Sequence, residues 1–327
     1  MSSDGTALVD LDEDGVNLTF RADVLAGLSQ PQKALPARWF YDERGSELFE
    51  EITHLPEYYP TRAETEILEA YRSEIAARTG KGRAVVEFGS GSSAKTPLLL
   101  NAIDPAAYVP LDISRDFLRA SAAELAIQFP ELPVSPMEAD FMKPVALPPQ
   151  VQNLPKLGFF PGSTIGNMVP AAVVDLLRSM RETLGADAML LIGLDLIKDA
   201  GTLVAAYDDP GGVTAAFNLN LLHRINKELD SNMPVNNFAH EARWNDPDSR
   251  IEMHLLAQEA VAFEVCGRRF ALRQGETIHT ENSHKYDLRS AYMLLRAGNW
   301  APLHYWCDLE QRFAVVLAEA SEPCAAP

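Results

Sequence analysis

AVVEFGSGSSAKTPLLLNAI, residues Ala84 to Ile103, is the stretch whose reading decides the fold. AVVEF is a short apolar, β-rich run stopped by glycine, the mark of a strand buried on both faces of a parallel sheet. TPLLLNAI then continues as a helix. GSGSSAKT lies between the two, so it sits at a helix N-terminus, where unpaired N–H groups and a partial positive charge hold a nucleotide-like ligand.

The same rhythm extends in both directions. Strands are predicted at 84–88, 108–112 (YVPLD), 134–140 (VSPMEAD), 156–160 (KLGFF) and 188–196 (AMLLIGLDL). Between them RDFLRASAAELAIQF and VVDLLRSMRETL carry apolar residues at three- and four-residue spacing, as helices do. Strand and helix alternating in this way give an α/β class, a doubly wound sheet with right-handed crossovers. After Lys198 the rhythm breaks. AAFNLNLLHRINKEL reads as one long helix, and Ile251 to Tyr286 as antiparallel strands around a turn at Cys266-Gly267. A last helix and the strand FAVVLAEA (313–320) complete the sheet. Short helices are expected around Ser46–Ile52 and from Thr61 onward, while the first fifteen residues and the tail SEPCAAP read as mobile.

Composition removes several function classes. The chain has 327 residues, 47% of them hydrophobic and 23% charged, as in an ordinary globular protein. Its net charge of -18, with 28 Lys+Arg against 46 Asp+Glu, argues against nucleic acid or an anionic membrane as partner. Three cysteines, Cys266, Cys307 and Cys324, are too few and scattered for a disulfide framework or a zinc site. The seven histidines form no metal-ligand spacing, His279 and His284 included, so no metal is expected. The start is acidic, without the basic segment and apolar core of a signal peptide. AMLLIGLDLI, interrupted by Asp195, is too short to span a bilayer. The expectation is a cytoplasmic protein.

Three cofactors compete for the glycine loop. Gly89-x-Gly91-x-x-Ala94 fits the dinucleotide fingerprint. Gly89, Lys95 and Thr96 nearly fit a triphosphate loop, with Ala94 in place of glycine and LLIGLD as a magnesium strand. S-adenosylmethionine is the third, through an acid-x-G-x-G pattern. Glu87 weighs against phosphates, because like charges ~4 Å apart cost about 4 kcal/mol at an effective dielectric of 20. Beside the ammonium of a methionine moiety the same charge is useful. Asp112 ends the second strand, where a carboxylate accepts from ribose hydroxyls; NAD would use it too. Asp140 and Phe141, after the third strand, offer a carboxylate to the adenine amine and a ring to its face. In series these residues favour the methyl donor. An NAD-dependent oxidoreductase is the rival enzyme, and a cofactor-binding regulatory protein without turnover the rival outside enzymology.

FFPGSTIGNM, residues Phe159 to Met168, holds more polar equipment than a turn requires. Together with FYDERGSELFEEITHLPEYYPTRAETEIL, VVEFGSGSSAKT and IHTENSHKY, it makes the chain resemble the histidine Nα-methyltransferases of ergothioneine biosynthesis, from about Leu35 to about Leu317. The family trimethylates L-histidine to hercynine, and fungal members methylate a prenylated tryptophan, so the reaction type is fixed more firmly than the acceptor. The resemblance implies a Rossmann-type class I methyltransferase domain at 65–198 and 287–327. It also implies a smaller α+β substrate-binding domain at 1–64 and 199–286, with the acceptor between them and the protein a monomer. Substrate contacts then fall on Tyr41, Tyr58, Gly162, Asn167, Tyr207, Met253, Glu281 and Ser283. Cofactor contacts fall on Gly89, Lys95, Asp112, Asp140 and Phe141, beside Glu87 and Gly91 of the acid-x-G-x-G pattern. Asn167 and Tyr207 are expected to fix the acceptor carboxylate, Tyr41 and Gly162 to orient its amine, and Glu281 and Ser283 to face its side chain. Plain alternatives stand beside these roles: Met253 as strand core, Tyr58 packing a turn, Lys95 as a first-turn helix residue, and Glu281 as solvated surface.

Overall fold

The computed structural model describes residues 15–91, 95–113 and 115–322, and only the backbone of Asp116 and Phe117. Ala94 of the glycine fingerprint, Cys324, the polar start and most of the tail lie outside those residues. The chain divides into two compact units, one formed by the chain up to Tyr59 with Lys198–His284, the other by Pro60–Ile197 with the chain from Lys285 onward.

In the second of these, seven strands form one sheet: β1 (Ala84–Phe88), β2 (Ala107–Asp112), β3 (Met137–Glu138), β4 (Lys156–Phe160), β5 (Met189–Asp195), β6 (Trp300–Cys307) and β7 (Phe313–Ala320). Their order is β6-β7-β5-β4-β1-β2-β3. The pairs from β3 to β5 are parallel, whereas β7 runs antiparallel to both β5 and β6. Every residue of β1 is buried, as its unbroken apolar run requires. Helices Thr96–Ile103, Arg115–Gln128 and Pro170–Leu184 are the crossovers. Val86, Phe88, Val109, Leu111, Phe160, Leu176, Ile192 and Val316 belong to the core that the sheet shares with Pro170–Leu184.

Two details depart from the sequence reading. The third strand is only Met137–Glu138, with an isolated bridge from Val134 to Tyr108, because Pro133 and Pro136 withhold ladder donors. WAPLHYWC, not foreseen as a strand, is β6. Pro302 sits at a register shift beside His304 in this edge strand, where a missing N–H is tolerated.

The other unit carries a four-stranded sheet in the order Lys33–Ala34, Thr277–His284, Arg250–Ala257, Phe238–Asn245. The first pair is parallel and the rest antiparallel. The expected turn is present: Cys266 and Gly267 have φ of +48° and +72°, joining Val261–Val265 to Arg268–Leu272 as a tight hairpin does. Helix Glu43–Thr53 is capped by Asp42, whose Oδ1 accepts from the Gly45 N–H at 2.7 Å. The same oxygen accepts from the Asn220 amide at 2.8 Å, fixing that helix to the long helix Val213–Glu228. None of the described helices is long and apolar enough to cross a membrane.

Candidate active site

The carboxyl ends of β1, β2 and β4 bring one set of predicted residues together. β1 runs into Gly89, whose φ is +70° and whose N–H donates to the Leu111 carbonyl at 2.9 Å. A Cβ there would stand 3.5 Å from the Phe141 ring, so glycine keeps the gap between loop and ring open. Phe141 is held edge-on by Phe88 and Phe160, at centroid distances of 6.0 and 6.3 Å. Asp112, at the end of β2, accepts from the Gly91 N–H at 3.1 Å. Asp140 accepts from the Met142 N–H at 3.1 Å, closing a short turn that presents Phe141.

Glu87 requires a correction. Its side chain is buried (1% exposed), and Oε2 accepts from the Thr96 hydroxyl at 2.7 Å and from the Tyr108 hydroxyl. Burial pushes its carboxyl up to about 7, with the nearby Glu64 charge adding to the rise and the two hydroxyls opposing it. Rather than presenting a free charge to a ligand, Glu87 anchors the first turn of the helix that follows the glycine loop.

The β4 loop is equally specified. Gly162 has φ of +79°, and Ser163, also left-handed at +56°, is buried and accepts from the Asp195 N–H at 2.9 Å. Thr164–Asn167 forms a 3₁₀ turn, with the Gly166 N–H donating to the Ser163 carbonyl at 2.8 Å. The Gly162 N–H is taken by Glu64 Oε2 at 2.8 Å, so its carbonyl is the backbone group left to accept from an amine. The half-buried Asn167 amide makes no hydrogen bond to another described residue. At the end of β5, Asp195 pairs with Lys285 at 2.8 Å, both side chains buried. That Asp is the acid of LLIGLD, and in the fold it is ion-paired with Lys285.

Sequence reading missed Glu64. The stripe Tyr59, Ala63, Ile67 and Leu68 is buried on helix Tyr59–Ala70, and Glu64 lies within it at 0% exposure. An acid on the apolar face of an amphipathic helix was the available signal. It forms an ion pair with Lys95, whose side chain is 13% exposed.

The other unit collects the remaining predicted residues. Tyr41, partly exposed, meets Phe49 and Phe217 edge-on at 5.6 and 5.9 Å. Phe49 also touches Tyr58, and Tyr58 meets Tyr207 at 6.1 Å. The Tyr207 hydroxyl shares a 2.7 Å hydrogen bond with Ser283. Glu281 and Ser283 lie two residues apart on strand Thr277–His284 and so point to one face, with Met253 opposite Glu281 in register. Met253 is 1% exposed and packs as core. The aromatic neighbours Phe49 and Phe217 were not legible as site residues.

Pairing of these strands also stacks His254 on His279 at 4.9 Å, with Glu252 close enough for the three to form a possible metal-ligand group. No spacing along the chain discloses such a cross-strand group. Its donors are already engaged: Glu252 by Arg250 and Asn245, His254 by Glu252 and Thr277, and His279 by the Glu281 carbonyl.

A parallel sheet closed by an antiparallel β7 between β5 and β6, with its glycine loop after β1 and acids after β2 and β3, defines a class I S-adenosylmethionine-dependent methyltransferase. The residues present fit that cofactor: at the strand ends around the loop stand the carboxylates of Asp112 and Asp140, and the Lys95 ammonium is already paired with the buried Glu64, a set suited to ribose hydroxyls and an adenine amine rather than to pyrophosphate. Residues 20–320 match the family described as histidine-specific methyltransferase, SAM-dependent, and the chain belongs to it. The dinucleotide and triphosphate readings fall with that assignment. The chain is 40% identical over 304 residues to the histidine N-alpha-methyltransferase of Mycolicibacterium smegmatis, covering 91% of this chain and 94% of that one. With the protein of the same name from Mycobacterium tuberculosis, identity is 40% over 314 residues, 94% and 97% of the two chains. A 4-dimethylallyltryptophan N-methyltransferase of Aspergillus fumigatus is 25% identical, with 94% and 97% covered.

Proposed function

We propose that this enzyme methylates the α-amine of L-histidine, ending at the trimethylated product hercynine, the opening reaction of ergothioneine biosynthesis. The observation that carries the reading is the β4 loop, where a donor-locked Gly162 leaves a carbonyl for an amine and the Asn167 amide is left without a described partner. The relatives at 40% identity supply the acceptor.

S-adenosylmethionine, when bound, supplies a methyl group on a sulfonium. Positive charge migrates in such a transfer and is not created, so the protein's main contribution is to align the acceptor, an effect worth roughly 7–11 kcal/mol. In this reading the Gly162 carbonyl and the Tyr41 hydroxyl orient the amine, and Asn167 and Tyr207 hold the carboxylate. An α-amine titrates near 8 in peptides, so a neutral fraction exists without a dedicated base, and water takes the protons. Glu281 and Ser283 receive the imidazole, whose N–H donates well to a carboxylate. The Tyr207–Ser283 hydrogen bond fixes the serine hydroxyl for that task. Asp112 would hold the cofactor through its ribose hydroxyls, Phe141 through its adenine face and Lys95 through its carboxylate. The enzyme acts as a cytoplasmic monomer on a free amino acid.

Incubation with histidine and the methyl donor, read by mass, tests the reading: products heavier by one, two and three methylene units are expected. Methylation of a tryptophan derivative or another amino acid, with histidine inert, would transfer the chemistry to a different acceptor.

A further inference from the structure

Glu64 stands where a leucine would pack helix Tyr59–Ala70 at less cost, because a buried ion pair seldom outweighs its desolvation. Yet the carboxylate is well used. Oε2 accepts from the Lys95 ammonium and from the Gly162 N–H at 2.8 Å, joining the segments that follow β1 and β4. Lys95 Nζ itself lies 4.0 Å from where a Gly162 Cβ would be. Oε1, buried, has no hydrogen-bond partner among the described residues. It occupies the space left by Gly193 on β5, where an added Cβ would come within 2.1 Å of it. The carboxylate is thus seated by a strand glycine and directed at both loops.

We infer that Glu64 is a positioning residue for methyl transfer, a single buried carboxylate that orients Lys95 toward the cofactor and fixes the Gly162 backbone that meets the acceptor. An ammonium has three donors, and with one spent on Glu64 two remain for a ligand carboxylate. The Gly162 N–H, held by the same oxygen, sets where its carbonyl points. One group therefore registers donor against acceptor. The Lys95 arm rests on the cofactor alone, and the Gly162 arm rests on the acceptor reading proposed above.

The two arms separate by substitution. Glu64→Gln keeps an oxygen for the Gly162 N–H but removes the charge that orients Lys95. The Kd for S-adenosylhomocysteine, measured by calorimetry without acceptor, is expected to rise about ten-fold, the size of one charge-assisted hydrogen bond. The KM for histidine should stay within about three-fold. Glu64→Ala removes both contacts and should raise the two together. In a Lys95→Met background, Glu64→Gln should change that Kd by less than about two-fold, a coupling a purely structural role would not produce. An unchanged Kd in a folded Glu64→Gln, or an undiminished effect in the Lys95→Met background, would overturn the inference. If Glu64→Ala fails to fold, the Glu64→Gln and Lys95→Met cycle decides the Lys95 arm, and the histidine KM of Glu64→Leu the other. A wild-type enzyme that binds S-adenosylhomocysteine but leaves histidine unmethylated would refute the acceptor reading and leave the Lys95 arm tested.

Discussion

Glu87→Gln isolates the energetics of the strand that carries the cofactor loop. The Glu87 carboxyl is held up to about 7 by burial, against an ordinary value of 4.5. Native protein therefore binds this proton more tightly than the unfolded chain. The stability it contributes is fully present below pH 4.5 and is lost as pH rises through about 7. A shift of roughly 2.5 pH units, at 1.36 kcal/mol each, makes that loss about 3 kcal/mol, an order-of-magnitude figure. Glutamine keeps an oxygen for the Thr96 and Tyr108 hydroxyls and cannot ionise. Denaturant unfolding of the protein without cofactor, at pH 5 and pH 8, reads the difference between variant and wild type, so other titrating groups cancel. The advantage of Glu87→Gln over wild type should grow by about 2.5 kcal/mol between the two conditions, since pH 5 already lies above the unfolded value. Parallel pH dependence in the two proteins would mean that Glu87 ionises as easily as an exposed glutamate, and the reasoning from burial would be wrong.

Other substitutions test the site directly. Glu281→Ala should raise the KM for histidine by roughly ten-fold or more while S-adenosylhomocysteine affinity holds, and equal losses in both would remove Glu281 from the acceptor's imidazole. Asn167→Ala should lower kcat by about a hundred-fold, since misplacing an acceptor by an ångström costs that much; near-normal turnover would return Asn167 to the status of a turn former. Lys285→Met leaves Asp195 charged and buried, and unfolding should show a loss of about 3–5 kcal/mol. A cost below about 1 kcal/mol would show that water or another group compensates Asp195.

Much of the sheet was legible because its signals are local. AVVEF, YVPLD and KLGFF are short apolar runs bounded by turn residues, and each is a strand within a residue of the expected limits. β6 was not legible, since Pro302 and the polar His304 break the pattern that an edge strand is free to break. Phe238–Asn245 escaped for a related reason: FAHEARWN buries only alternate apolar residues among charges. The glycines and acids of the cofactor loop announced themselves by type and order. Glu87 shows where that kind of reading stops, because the same acid can face a ligand or, as here, two internal hydroxyls.

Residue order alone determined the α/β class, the cofactor strand, the loop after β4 and the likeness to histidine-specific methyltransferases, all of which rest on neighbours within a few positions. Tertiary structure alone decided what each carboxylate does. Glu64 lies 31 residues from Lys95 and 98 from Gly162, and no local periodicity encodes which distant donors a buried acid will meet. Burial withdraws the acid from water, and the sheet order selects the partners that replace it.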